Sequence, residues 1–222
     1  MSAATLAFER FRSSDREEWL MRIGRPNAPA ILFVPPLFEE MNRTRALIVA
    51  TMRAAAGKGH CCWLLDLSGT GESERDLSDV TWDDWRHDVA AAAHLAGKAK
   101  KPLIASLRGG ALVDDAAEAR GWWRFSPLDG AAVARDMVRS GIAGVEWAGY
   151  APSDALKEVL EAAAPATVAP LRTLRLATER AEADAKVEGA ALWRRSEPGN
   201  SPALAEALAA DLVKWSRSCA AS

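Results

Sequence analysis

Residues 101–113 constrain the fold of this chain more than any other stretch. A short apolar segment, typical of a buried strand, runs into a turn of small residues and then into a helix predicted over residues 110–119. Ser106, Gly109 and Gly110 supply the small side chains that let the backbones of a strand and a helix approach closely. In this register Arg108 lies at the apex of the turn.

The order of strand, sharp turn and helix is that of the G-x-S-x-G nucleophile elbow, whose central side chain points toward a substrate. Here the pattern reads S-x-R-x-G, so an arginine takes the place of the serine. Arginine stays protonated at ordinary pH and only donates hydrogen bonds, so it cannot act as the nucleophile. The segment therefore predicts the backbone of a hydrolase site without its usual chemistry.

Strand-like and helix-like segments alternate along almost the whole chain, which predicts a mostly parallel sheet between two layers of helices. Strands are expected over residues 5–11, 17–23, 30–34, 61–65, 103–105, 122–125, 145–150, 174–178 and 189–193. Helices are expected over residues 45–56, 82–96, 110–119, 131–138, 153–163 and 201–215. No repeat or linker divides the sequence, so we expect one domain over residues 1–222.

Composition excludes several classes of function. A formal net charge of −2 does not predict a nucleic-acid-binding surface, and no apolar run is long enough to predict a membrane span. Cys61, Cys62 and Cys219 form no spaced disulfide pattern, which favours a reducing, cytoplasmic location. We expect neither a metal site nor a cofactor.

Two hairpin strands followed by strand–helix units, with an elbow near mid-chain, resemble the α/β-hydrolase fold. The loop D-L-S-G-T-G-E-S over residues 66–73 is similar to a loop common in that superfamily. More specifically, P-P-L-F-E-E-M-N-R-T-R over residues 35–45 and S-L-R-G-G-A over residues 106–111 resemble the exosortase A system-associated hydrolase 2 family. The resemblance implies a three-layer α/β fold, in bacterial systems for exopolysaccharide production and protein sorting. The short length of the chain predicts little or no lid on that fold.

A Ser-His-Asp hydrolase of this fold needs a histidine after its last strand. The histidines are His60, His87 and His94, which all precede the elbow, and we assign them surface or packing roles. Ser106 is a displaced candidate nucleophile, although a small residue required by packing is the stronger interpretation.

Glu39, Glu40 and Asn42 follow the strand whose loop normally forms the oxyanion hole beside the elbow. A carboxylate there would repel an oxyanion, but it could form a bidentate pair with Arg108. Such a pair would be either a structural ion pair that fills the catalytic centre or part of a polar pocket for an anionic or sugar-like ligand.

Other residues complete the predicted site. Asp129 holds a common position of the catalytic acid and could join the network, or it could cap the helix that follows. Trp122 and Trp123 should point to opposite sheet faces, so that one belongs to the core and the other walls the pocket. Phe38 and Asn42 are the remaining candidate ligand-binding residues.

These observations favour an accessory or binding protein without a Ser-His-Asp triad, with a sugar, a lipid-linked molecule or an acyl compound as ligand. One alternative is a non-classical esterase, thioesterase or acyltransferase that acts around Arg108, Glu39 and Glu40. Another is a purely structural partner in a complex.

Overall fold

One sheet organises the part of the chain that the computed structural model describes, which is residues 5–98, 100–140 and 146–220. Its strands are β1 (Leu6–Ser13), β2 (Arg16–Ile23), β3 (Ala30–Val34), β4 (Cys61–Leu65), β5 (Leu103–Leu107), β6 (Gly121–Phe125), β7 (Leu171–Leu176) and β8 (Ala185–Val187). They lie in the order β1-β2-β4-β3-β5-β6-β7-β8.

Strand direction divides this sheet into two parts. β1, β2 and β4 pair in antiparallel fashion, whereas β4, β3, β5, β6, β7 and β8 are parallel neighbours. β4 and β5 are buried along their whole lengths, as expected for parallel strands that are covered on both faces. The predicted mostly parallel sheet is confirmed.

Helices cover both faces of the sheet. They are α1 (Glu39–Gly57), α2 (Trp82–Gly97), α3 (Gly130–Ser140), α4 (Asp154–Ala162) and α5 (Pro202–Ser218). α2, α3 and α4 contribute to one hydrophobic core, and α1 and α5 contribute to the other. The result is the predicted three-layer arrangement. Across the described ranges, each helix falls short of the length and apolar character that a membrane crossing requires.

Several helix ends follow from short polar signals in the sequence. The Thr81 hydroxyl accepts a hydrogen bond from the backbone N–H of Asp84, whose carboxylate accepts one from the backbone N–H of Thr81. The hydroxyls of Ser153 and Ser201 accept hydrogen bonds from the backbone N–H groups of Leu156 and Leu204 and so cap α4 and α5, and Pro202 opens α5.

The helix predicted over residues 110–119 is wrong. The chain instead forms two short 3-10 segments, Arg108–Leu112 and Asp114–Ala116. Asp114 is the reason, because its buried carboxylate bonds Ser106 and Arg124 and so draws the backbone toward the sheet. A regular helix along this stretch would have to give up those bonds.

Two predicted strands are also wrong. Residues 146–149 form a 3-10 turn in which Trp147 and Ala148 have φ values of 55° and 54°; residue 145 lies outside the described ranges. The second wrong strand was predicted over residues 189–193. These residues follow β8, which ends at Val187, and Leu192–Arg194 forms another 3-10 turn. Trp147 in the first stretch and Leu192 and Trp193 in the second are buried although they lie in turns, and a pattern of apolar residues alone does not distinguish such a turn from a strand.

Candidate functional site

The elbow keeps its sharp turn although an arginine stands at its apex. Arg108 directly follows β5 and has φ 51°, in the left-handed region that side chains other than glycine rarely adopt. A Cβ atom at Gly110 would lie only 2.6 Å from the carbonyl oxygen of Val34, and closer still to that of Pro35. Gly110 therefore lets the turn sit directly against the end of β3.

Arg108 forms the expected ion pair, and its partner is Glu40 rather than Glu39. Nε of Arg108 donates to Oε2 of Glu40 at 3.1 Å, and Nη2 donates to Oε1 at 2.8 Å, so the pair is bidentate. The two side chains are only 5% and 12% exposed. A second carboxylate, that of Asp136 on α3, lies 3.5 Å from Nη2.

An aromatic ring covers the guanidinium group. The central carbon of the Arg108 guanidinium lies 4.4 Å from the centre of the Trp193 ring, within the range of about 6 Å for a cation–π interaction. Trp193 belongs to the 3-10 turn that follows β8, which is where a catalytic histidine would be expected. Tryptophan offers the arginine a flat electron-rich face and no basic nitrogen.

Burial alters the acidity of the Glu40 carboxyl group. Desolvation raises the pKa of Glu40, and the nearby Asp136 carboxylate adds to that rise. The hydrogen bonds and positive charge of Arg108 oppose the rise but do not cancel it. Glu40 therefore holds a proton more readily than an exposed glutamate does.

Glu39 turns away from Arg108 and joins a neighbouring polar cluster. The amide of Asn42 donates to Oε2 of Glu39 at 3.2 Å and to the hydroxyl of Tyr150 at 2.9 Å. Nε of Arg43 lies 3.4 Å from Oε1 of Glu39, and Nη1 of Arg43 donates to the backbone carbonyl of Trp193 at 3.1 Å. This cluster ties the start of α1 to the turn that carries the covering ring.

A cavity of about 440 Å³ lies over the ion pair, since Glu40, Asp136 and Trp193, all partners of Arg108, belong to its wall. The complete wall is formed by Leu37, Glu39, Glu40, Arg43, Val133, Asp136, Met137, Arg139, Trp193 and Arg194. No group of three or more His, Cys, Asp or Glu side chains in the described ranges is arranged to hold a metal ion.

Similarity to known proteins agrees with this architecture. No family model matches the chain. A putative aryl esterase from Burkholderia cenocepacia superposes with a TM-score of 0.61 at 16% identity, over 97% of this chain and 100% of the esterase. The fold is that of the α/β hydrolases.

Sequence similarity is confined to part of the chain. Mitochondrial palmitoyl-protein thioesterase ABHD10 of Homo sapiens is 33% identical over 93 residues, which is 42% of this chain and 30% of that protein. The Mus musculus protein is 34% identical over 92 residues, or 41% of this chain and 30% of its own length. The match thus spans under a third of the length of these relatives.

Ser106 lies below the elbow of the α/β-hydrolase fold and does not face the cavity. Its hydroxyl donates to Oδ2 of Asp114 at 2.6 Å, and the side chains of Asp114 and Arg124 form a second bidentate ion pair. Ser106 is fully buried, in agreement with the packing interpretation. Sequence reasoning missed Asp114 and Arg124, although an arginine inside the otherwise apolar stretch W-W-R-F was a signal.

Asp129 caps α3 instead of joining the Arg108 network, since its carboxylate accepts a hydrogen bond from the backbone N–H of Ala132 at 2.6 Å. In the α/β-hydrolase fold another acid position follows a late strand, and Glu179 stands after β7. Its Oε2 accepts hydrogen bonds from the Ser126 hydroxyl at 2.5 Å and from the backbone N–H of Leu176 at 2.9 Å. Glu179, which sequence reasoning also missed, thereby joins the ends of β6 and β7.

The predicted aromatic wall requires a correction. Trp122 and Trp123 do lie on opposite faces of the sheet, but Trp122 donates to the backbone carbonyl of Asp114 and Trp123 donates to the carboxylate of Asp211. Neither ring belongs to the cavity wall described above, where Trp193 provides the aromatic face. The sequence order could not show that a turn after β8 reaches the elbow.

Phe38 also belongs to the core and not to the cavity wall. It is buried with φ 54° at the start of α1, and its ring makes edge contacts with those of Trp85, Trp147 and Tyr150. Phe38 therefore positions the first turn of α1, and with it Glu40, beside the elbow. This turn explains why α1 begins at Glu39, six residues before the predicted start.

Proposed function

We propose that this chain is an α/β-hydrolase-fold protein that binds a small molecule over its elbow without Ser-His-Asp chemistry. The observation that carries the proposal is Arg108, held at the apex by Glu40 and covered by Trp193. A guanidinium group cannot attack a carbonyl carbon, and the indole above it cannot accept a proton as histidine does. The cavity over this pair supplies the space for a ligand.

The proposal extends to a role as an accessory or binding protein in bacterial exopolysaccharide or exosortase systems. It is supported by the sequence resemblance over residues 35–45 and 106–111, which the fold brings together as the oxyanion-side loop and the elbow. Within this proposal residues 1–222 form one domain, and the protein works in the cytoplasm. The free state of Cys61, Cys62 and Cys219 is consistent with a reducing compartment.

A second candidate function is hydrolysis or transfer of an ester or thioester by a non-classical mechanism. It is favoured by the similarity to a palmitoyl-protein thioesterase and to a putative aryl esterase. In this alternative Glu40 would act as a general base toward water, and Arg108 would stabilise the developing oxyanion. Glu40 contacts Arg108 at the cavity wall, whereas Glu39 is engaged with Asn42 and Arg43.

Labelling with a fluorophosphonate and assays with p-nitrophenyl acetate and octanoate separate the two candidates. We expect no stoichiometric labelling and no turnover above that of the Arg108→Met variant, because no described serine has a neighbouring general base in the cavity. Turnover that disappears in Glu40→Gln but persists in Glu39→Gln would establish the hydrolytic alternative. Labelling that is lost in Ser106→Ala would show that Ser106 is a nucleophile after all.

A genetic test addresses the pathway. Deletion of the gene from a bacterium that makes an exopolysaccharide should lower polymer output, and expression of the Arg108→Met variant should fail to restore it if the cavity is needed. Full restoration by that variant would show that polymer output depends on the protein but not on Arg108 at the elbow. Unchanged output after deletion would contradict the proposed exopolysaccharide role.

A further inference from the structure

Some arginines of the cavity are firmly held. Arg108 is bonded to Glu40 and lies near Asp136, and Arg43 lies near Glu39 while it donates to a backbone carbonyl. These guanidinium groups already have carboxylate partners and well-defined positions. Arg43 lines the cavity and Arg108 lies behind its wall, and the charge of each is already matched by a carboxylate.

Two further arginines of the wall are loosely held. Arg139 is 75% exposed, and its nearest carboxylate is Asp136 at 3.6 Å, which also serves Arg108. Arg194 is exposed and forms no ion pair with any residue in the described ranges. Three guanidinium groups and three carboxylates line the cavity, and Arg108 adds a fourth guanidinium group behind its wall, so these groups together carry an excess positive charge.

The two loose arginines come from different walls. Arg139 lies near the end of α3, and Arg194 lies in the turn after β8, yet both line the same cavity. An anion placed between them would give each guanidinium group a partner that the protein does not provide. Guanidinium groups bind carboxylates and phosphates through paired N–H donors, so these are the anions that suit the site.

The remaining wall is apolar. Leu37, Val133, Met137 and Trp193 are buried side chains that also line the cavity. Burying a hydrocarbon segment there would remove apolar surface from water, which favours binding. A ligand that matches both parts of the cavity needs a charged end and a short hydrocarbon part.

We infer that the cavity binds a small amphiphilic anion, with a carboxylate or phosphate group between Arg139 and Arg194 and a short hydrocarbon part against Leu37, Val133 and Met137. This inference rests on the proposed binding function and narrows its ligand class.

Calorimetric titration with four ligands that share one hydrocarbon chain tests this inference. Nonanoate and octyl phosphate carry the two anionic groups on an eight-carbon chain, octyl glucoside is neutral and octylamine is cationic. We expect the two anions to bind and the other two to bind at least tenfold more weakly. The tighter of the two anions identifies the preferred headgroup. Binding should weaken as salt is added, because exposed charges are screened.

Charge-removing variants locate the headgroup. Arg139→Gln and Arg194→Gln should each weaken binding of the preferred anion by up to about fivefold, as expected for partly exposed ion pairs. Arg194→Lys should restore part of the loss. Arg53→Gln is the matched control, since Arg53 is exposed on α1 about 15 Å along the helix from Arg43. It should leave affinity unchanged.

Other results would overturn the inference in distinguishable ways. If octyl glucoside binds most tightly and the arginine variants have no effect, the ligand class is wrong but the binding function stands. If octylamine binds most tightly, or none of the four ligands binds, the anion site is wrong. Turnover of p-nitrophenyl octanoate is a separate measurement, and its presence would overturn the non-catalytic function whatever the titrations show.

Discussion

Two bidentate arginine–carboxylate pairs flank the same elbow, yet they differ in what lies beside them. Arg124 and Asp114 are 4% and 0% exposed, and the carboxylate also accepts from Ser106. Arg108 and Glu40 are 5% and 12% exposed, and Glu40 faces a cavity of about 440 Å³. The same type of ion pair thus forms a closed structural contact below the turn and the floor of an open cavity above it.

The difference shows how burial of an ion pair should be interpreted. The Asp114 pair satisfies every nearby group, so it holds β6 against the elbow and leaves no free donor for a ligand. The Arg108 pair leaves Nη1 without a hydrogen-bond partner among the described residues and borders space. Solvent-accessible volume next to the pair, more than the pair itself, distinguishes a candidate site from a structural contact.

The largest expected effect comes from breaking the closed pair. Asp114→Ala should lower the free energy of unfolding by about 3–5 kcal/mol, because it leaves the Arg124 guanidinium buried without a counter-charge. Urea unfolding measures the loss. Asp115→Ala is the matched control, since its pair with Arg86 is partly exposed and should contribute under about 1 kcal/mol. Equal losses in the two variants would contradict the structural role of Asp114.

Breaking the open pair should cost less and should change binding. Arg108→Met keeps much of the side-chain stem but leaves Glu40 unpaired, and we expect a loss of about 2–3 kcal/mol, since Glu40 can protonate or contact water in the cavity. Adding Glu40→Gln should recover part of that loss. Urea unfolding and calorimetric titration of both variants provide the test. A loss of unfolding free energy as large as that of Asp114→Ala would show that the two ion pairs contribute equally to stability, which would contradict the comparison.

Glu18 is a buried carboxyl group that, unlike those of Asp114 and Glu40, has no guanidinium group hydrogen-bonded to it. Glu18 is 2% exposed, and its Oε1 accepts from Ser68 and Ser73 while Oε2 has no partner. Burial raises the pKa of Glu18 above its unfolded value, and the nearby Asp88 carboxylate contributes to the rise. The stabilising contribution of protonated Glu18 is therefore complete below the unfolded pKa and is lost as pH rises through the folded pKa.

Glu18→Gln should remove this pH dependence. Relative to the wild type, the variant should gain about 1 kcal/mol of stability between pH 4 and pH 8, because an amide has no charge to bury. Urea unfolding at both pH values measures the change. Glu17→Gln, at an exposed neighbouring position, should show no comparable gain. A wild-type advantage that grows with pH would show that the Glu18 carboxylate is stabilised by its surroundings.

Much of the architecture could be predicted because local patterns and long-range packing agree there. β3 and β4 were predicted to the residue, since short apolar runs bounded by proline and glycine have few alternatives as buried strands. The Arg108 pair was predictable because the topology brings two named loops together. Trp193 and Glu179 were not, because a turn after β8 and a residue after β7 reach their partners only through the tertiary fold.

The tight approach of Gly110 to β3 separates the shape of the turn from the identity of its apex residue. The fit of Gly110 against the carbonyl groups of Val34 and Pro35 constrains the backbone beside Arg108, and this contact does not involve the guanidinium group. The backbone of the elbow is thus compatible with different side chains at its apex. Substitution of the apex residue therefore changes the group presented at the turn and leaves the supporting contact between Gly110 and the end of β3 in place.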